Sequence, residues 1–223
     1  MKEKGIGMED REEIIVIEHV SKIFGENKVL DDVCVSFEKG RIHGIIGRNG
    51  SGKTMLMKCI CGFVPVTSGS IQVRGKKVGK DIDVPQNMGI IIETPGFLNG
   101  YSGYNNLKFL ANINNKISEE KIIETLKLVK LDPHNKKHVG KYSLGMRQRL
   151  GLAQALMEDP DILILDEPMN GLDQSGVEEM REVFAALAKK GTTILMANHN
   201  AEDIEILCDT VHEMDLGVIS RVK

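Results

Sequence analysis

The run Gly47-Arg48-Asn49-Gly50-Ser51-Gly52-Lys53-Thr54 concentrates more chemistry than any other stretch of this chain. Gly47 and Gly52, with four residues between them, are followed at once by a Lys-Thr pair. Glycines let backbone N–H groups turn inward around a phosphate, and a helix opening at the end of the run adds its partial positive charge. Lys53 then reaches the β- and γ-phosphates of a nucleoside triphosphate, and Thr54 offers its hydroxyl to Mg2+. A second element is the apolar run Ile162-Leu163-Ile164-Leu165, which ends in Asp166-Glu167. A carboxylate at a strand end beside the loop suits Asp166 to holding Mg2+, directly or through water. Glu167 would sit next to the γ-phosphate as the general base that polarises an attacking water.

Three further residue groups fit the same chemistry. Ser143 and Gly145 open a basic, amphipathic segment that carries Arg147, Gln148 and Arg149. A serine hydroxyl and exposed N–H groups at a helix start bind phosphate by the same physics as the first loop, although Ser143 would cap a helix in any case. His199 follows the apolar strand Thr193-Ile194-Leu195-Met196-Ala197 and is suited to hydrogen-bonding the γ-phosphate and the attacking water. Asp173 closes the run Asn170-Gly171-Leu172-Asp173, where it can cap a helix or make contact across a subunit interface. Upstream, Phe24 can stack on adenine or serve as a core residue at a strand end.

These groups need elements to position them. Residues 14–20 and 28–37 read as strands, and residues 41–46 as a buried strand feeding the glycine loop. The early strands are short and turn-linked, which implies an antiparallel sheet. A helix runs from Gly52 to near Gly62, with strands at 70–74 and 88–92. From Gly103 to about Leu131 apolar residues fall at helical spacing, with Ser118, Glu119 and Glu120 marking a helix start. After a helix at 145–157, strands and helices alternate to the end, which implies a parallel sheet covered by helices. The expected fold class is α/β: one core with an N-terminal antiparallel β-subdomain and an α-helical insertion at about 94–157, the whole of 1–223 forming a single domain.

Composition narrows the function classes. The 223 residues are 41% hydrophobic and 27% charged, with a net charge of −3, so the chain can bury a core and has no general affinity for nucleic acid. No apolar run approaches the roughly 18 residues that span a bilayer, and the first residues are charged rather than signal-like. The expected location is the cytosol, with membrane contact made through a partner. The four cysteines, Cys34, Cys59, Cys61 and Cys208, read as small buried or half-buried residues, since one C-x-C makes a poor zinc site. Apart from His199, the histidines show no constellation.

Taken together, the motifs resemble those of the ATP-binding-cassette (ABC) transporter ATPase subunit, in the family's order and over nearly the whole chain. Residues 47–54 resemble Walker A, residues 162–166 Walker B, residues 142–146 the signature, and residues 170–173 the D-loop. The resemblance implies a P-loop NTPase (RecA-like) core, ATP and Mg2+ as cofactors, Glu167 as catalytic glutamate, His199 as switch histidine and Phe24 as adenine platform. It also implies a head-to-tail dimer with a second copy or a paralogous subunit. Ser143 and Gly145 of one cassette would then face the γ-phosphate held by Lys53 of the other, alongside separate transmembrane permease chains at the inner face of the membrane. Two departures stand out. The signature reads Tyr-Ser-Leu-Gly-Met instead of Leu-Ser-Gly-Gly-Gln. Glu93 stands where the family has glutamine, as in the bacitracin-resistance and lantibiotic-immunity branch of exporters. Glu93 can approach Mg2+ or its water, but it adds negative charge and cannot donate a hydrogen bond. The expected function is the ATPase subunit of an exporter of antimicrobial peptides or related amphiphiles. The segment from Glu93 to about Leu110, with exposed Phe97, Leu98 and Tyr101, would meet the permease. A non-transport cassette acting on DNA or ribosomes, and a nucleotide kinase, are the alternatives. The first is disfavoured by the lack of a long coiled coil and of a second cassette, the second by the signature turn.

Overall fold

Alternation of inward and outward residues along the central strands builds a sheet that is buried on both faces. The computed structural model describes residues 12–93, 95–114, 117–198 and 201–223. The phosphate-loop strand β3 (Ile42–Ile46) lies beside β8 (Thr193–Ala197), then β7 (Ile162–Asp166) and β6 (Met88–Ile91), all parallel. On its other side β3 pairs in parallel with β9 (Thr210–Asp215), and β10 (Val218–Arg221) adds an antiparallel edge. In β7, Leu163 and Leu165 join one core and Ile162 and Ile164 the other; in β8, Ile194 and Met196 oppose Leu195 and Ala197. Period-2 side chains with both faces apolar are what a covered parallel sheet requires.

One face is covered by α1 (Lys53–Ile60) and an antiparallel sheet of order β2-β1-β4-β5. Its strands are β1 (Glu13–Phe24), β2 (Asn27–Glu38), β4 (Ser68–Val73) and β5 (Lys76–Lys77). Leu56, Met57 and Ile60 of α1 pack with Ile15, Val33 and Phe37 in this core. The other face is covered by helices: α2 (Gly103–Asn114), α3 (Glu119–Leu128), α4 (Leu144–Leu156), α5 (Gln174–Lys189) and α6 (Ala201–Leu207). The helices α2 to α4 fall between β6 and β7. Ser118 caps α3 by accepting from the Lys121 N–H at 3.2 Å, with Glu119 and Glu120 in the first turn. The fold class read from the sequence is the one observed; β5 and β10, too short or too polar to stand out, were not read from it.

Three expectations about individual side chains need correction. Cys34 is exposed, whereas Cys59, Cys61 and Cys208 are buried. Cys34 projects from β2 on the side opposite to the buried Val33. Phe97 is only partly exposed, because it packs against the helical core, while Leu98 and Tyr101 are exposed as expected. His19 and Cys34 are fifteen positions apart along the chain, yet the two are in contact, so His19 does belong to a constellation.

Candidate functional site

The glycines of the loop are fixed by close approach. Gly47 has φ 147°, and a Cβ there would meet the Met214 carbonyl oxygen at 2.2 Å; Gly52 has φ 113° and faces the Val29 carbonyl oxygen. Any side chain at Gly47 would push the β9 backbone away from the loop. Gly50 also has positive φ, at 80°, but open space around it. The loop curls over the start of α1, and the Lys53 ammonium donates to the carbonyls of Gly47 at 2.7 Å and Arg48 at 3.0 Å. Lys53 is 6% exposed. Its charge is thus held at the loop by neutral acceptors, which incoming phosphate oxygens can replace at a gain in electrostatic energy. Ser51 turns its hydroxyl inward against Gly47, where it is buried without a hydrogen-bond partner among the described residues.

In the first turn of α1, Thr54 Oγ1 donates to Asp166 Oδ2 at 2.6 Å. Pairing of β7 with β8 beside β3 brings this carboxylate to the loop. Burial pushes the Asp166 carboxyl above the usual carboxylate range; the Thr54 hydrogen bond opposes this, and the charges of Glu167 and Glu93 add to it. A hydroxyl and crowded carboxylates form a set of hard oxygen donors suited to a divalent cation such as Mg2+. Glu167 follows in a left-handed conformation, φ 49°, with its N–H bonded to the Ala197 carbonyl at 2.9 Å. That bond fixes the turn that presents the glutamate.

Lys53, Thr54, Asp166, Glu167 and Glu93 line one cleft of about 540 Å3, together with Asn49, Gly50 and Gly52. Gly47, Arg48 and Asn49 line a neighbouring cleft, with Glu167. Glu93 sits at φ 63° and forms an ion pair with Lys58 Nζ at 2.6 Å; its side chain is 66% exposed. Lys58 was missed by sequence reading, although it lies one helical turn beyond Thr54 and therefore on the same face. Val29, Leu144, Arg147, Gln148 and Asn170 also line the cleft. Val29 carried no signal beyond its place in an apolar strand.

Other candidates lie elsewhere. Ser143 caps α4, its Oγ accepting from the Met146 N–H at 3.2 Å, and neither Ser143 nor Gly145 lines the cleft that holds Lys53. The two departures in the signature have physical places: Met146 packs against the helical core, and the Leu144 side chain lies against Gly171. Gln148 Nε2 donates to the Glu167 and Pro168 carbonyls at 3.1 and 3.0 Å, tying α4 to the turn that carries the glutamate. Arg149 ties α4 to the Val129 carbonyl and to Glu179. Asp173 caps α5, its Oδ1 accepting from the Gly176 N–H at 2.9 Å. Phe24 is 49% exposed at the β1–β2 hairpin, with Lys22 Nζ 4.6 Å from its ring centroid, and it lines neither cleft. His199 lies outside the described residues.

Known proteins share this architecture. A family model described as ABC transporter matches residues 30–170. The chain is similar to the uncharacterized ABC transporter ATP-binding protein YybJ of Bacillus subtilis (strain 168), with 42% identity over 92% of this chain and 94% of the relative. It is 38% identical to the bacitracin transport ATP-binding protein BcrA of Enterococcus faecalis, over 92% of this chain and 68% of BcrA. It is 37% identical to the lantibiotic transport ATP-binding protein SrtF of Streptococcus pyogenes, over 89% of this chain and 85% of SrtF. Among solved structures, a nucleotide-free ATP-binding cassette from an ABC transporter superposes with a TM-score of 0.81 at 26% identity, over 95% of this chain and 92% of that one. A loop and a strand end of this kind, inside a match of this extent, leave one reading: the chain belongs to the ABC transporter family, as an ATP-binding and ATP-hydrolysing subunit.

Proposed function

We propose that this subunit powers export of peptide antibiotics or similar toxic amphiphiles, and that it does so as a head-to-tail dimer with Mg2+-ATP at the interface. The convergence of Lys53, Thr54, Asp166 and Glu167 on one cleft carries the catalytic part. In this reading residues 47–54 wrap the phosphates and Lys53 binds the β- and γ-phosphate oxygens. Thr54 and Asp166 would hold Mg2+, which would supply positive charge to the phosphates, and Glu93 lines the same cleft. Glu167 takes a proton from water; the water oxygen bonds to the γ-phosphorus as the bond to the bridging oxygen breaks, releasing ADP and phosphate. His199 is assigned to the γ-phosphate, Phe24 to adenine, and Ser143, Gly145 and Asp173 to the partner's side of the sandwich. No helix among the described residues is long and apolar enough to cross a membrane, and in this reading separate permease chains provide the transport path. We assign the helical insertion at about 94–157, through exposed Leu98 and Tyr101, to contact with them at the cytoplasmic face. Export of peptide antibiotics rests on the bacitracin and lantibiotic relatives and on Glu93.

Two substitutions test the site. Lys53→Ala removes the charge-assisted contact to the phosphates and is expected to lower ATP hydrolysis by about two orders of magnitude or more; near-normal turnover in the purified protein would refute the assignment. Glu167→Gln keeps the shape but removes the base, and should accumulate an ATP-bound dimer on gel filtration. A monomer at saturating Mg2+-ATP would count against the sandwich.

A further inference from the structure

The antiparallel sheet carries a cluster that ATP chemistry does not use. His19 Nδ1 lies 2.9 Å from Asp32 Oδ1 and 3.5 Å from Cys34 Sγ. The three donor atoms all lie within 4.8 Å of one another, the one such group of His, Cys, Asp or Glu among the described residues. We propose that His19, Asp32 and Cys34 bind a single thiophilic divalent cation of the Zn2+ type at the surface of this sheet, distinct from the Mg2+ of the nucleotide cleft.

The backbone brings these side chains together at a cost. Regular pairing of β1 with β2 is broken at four places, and two of these breaks gather the cluster: Ile17 pairs with Val35 and Val20 with Val33, leaving Glu18 and His19 opposite Cys34 alone. Then Val20–Val33 is followed by Lys22–Leu30, leaving Asp31 and Asp32 opposite Ser21. Each bulge holds a left-handed non-glycine residue, His19 at φ 50° and Asp32 at φ 49°. Such bulges re-aim side chains, and left-handed residues of this kind mark positions that the surroundings over-determine. Both bulges are pinned. Ser21 Oγ accepts from the Asp32 N–H at 3.0 Å, and Gly69 of β4 lies so close to the His19 carbonyl that a Cβ there would approach it to 2.2 Å.

The donor set fits in charge and size. A thiolate, a carboxylate and a neutral imidazole carry two negative charges, which neutralise a divalent ion. Tetrahedral bonds of about 2.0–2.3 Å place neighbouring donors roughly 3.4–3.6 Å apart. The His19–Cys34 separation already meets this, and the His19–Asp32 pair must open by about half an ångström. All three residues are exposed, so the ion enters from solvent and water fills the fourth position, as in three-ligand zinc sites.

Titration of the whole chain with Co2+ or Zn2+ alone, against a chromophoric chelator, tests this. The expected result is one tight equivalent, and with Co2+ a thiolate-to-metal charge-transfer band. That band reports on Cys34, because Cys59, Cys61 and Cys208 are buried. Cys34→Ser should abolish the band. His19→Asn and Asp32→Asn, which tolerate the left-handed backbone, should each weaken binding by more than about tenfold. All three variants should hydrolyse ATP as the parent does. A missing band, or affinity unchanged in Cys34→Ser and His19→Asn, overturns the proposal.

Discussion

Thr54 and Asp166 stand 112 positions apart and share one hydrogen bond, so the site exists only once the sheet has formed. The same dependence on burial governs two histidines. His43 bonds to Thr210 Oγ1 and to the Glu38 carbonyl, and Phe37 packs against both His43 and His212. Burial pushes the His212 imidazole down to about 4 and lowers His43 as well. Between that value and the ordinary 6.5 the unfolded chain binds a proton at His212 that the folded chain refuses. Stability should therefore fall as pH drops through this window, by up to roughly 3 kcal/mol for this residue. Urea midpoints measured across the window check it, and His212→Leu should flatten the slope. An identical slope in the variant would assign the effect to other groups.

Contacts between elements depend on small residues at a few points. Gly89 in β6 lies under α4, where a Cβ would come within 2.2 Å of the Ala155 carbonyl and 2.6 Å of Leu163 Cδ2. Gly89→Ala should thus force α4 off the sheet and destabilise by about 1–3 kcal/mol or more, read as a lower urea midpoint. Because α4 also carries Gln148, which holds the turn of Glu167, ATP hydrolysis should fall in the same variant even where it remains folded. Folded protein with unimpaired turnover would show that α4 does not position the glutamate. The signature departures fit the same view: Met146 serves packing within the chain, and the exposed Leu144 side chain lies against Gly171.

Across the whole molecule, Glu93 joins the nucleotide cleft to the helical insertion. It lines the cleft, pairs with Lys58 of α1 and precedes the segment that leads to α2. An ion pair this exposed contributes under about 1 kcal/mol, so Glu93→Ala should barely change the melting temperature. If the residue couples the cleft to the permease, the variant should lose more transport in reconstituted vesicles than basal ATP hydrolysis. Equal losses would confine Glu93 to a role within the cleft. The distribution of contacts suits such coupling, since the insertion α2 to α4 packs on one face of the sheet while α1 and the antiparallel strands hold the other.

Local chemistry was legible from residue order alone. The glycine loop, the acidic strand end, the caps Ser118, Ser143 and Asp173 and the period of each long element depend on neighbours within a few positions, and so did the α/β class. What depended on distant contacts was not legible. Lys58 facing Glu93, Val29 against the loop, Phe97 turned inward and Met146 in the core are set by how sheets and helices pack. The exposure of Cys34 beside His19 and Asp32 was hidden for a related reason. Two bulges shift the register of β1 against β2, and a one-residue shift, invisible in the spacing of apolar residues, decides which side chains meet.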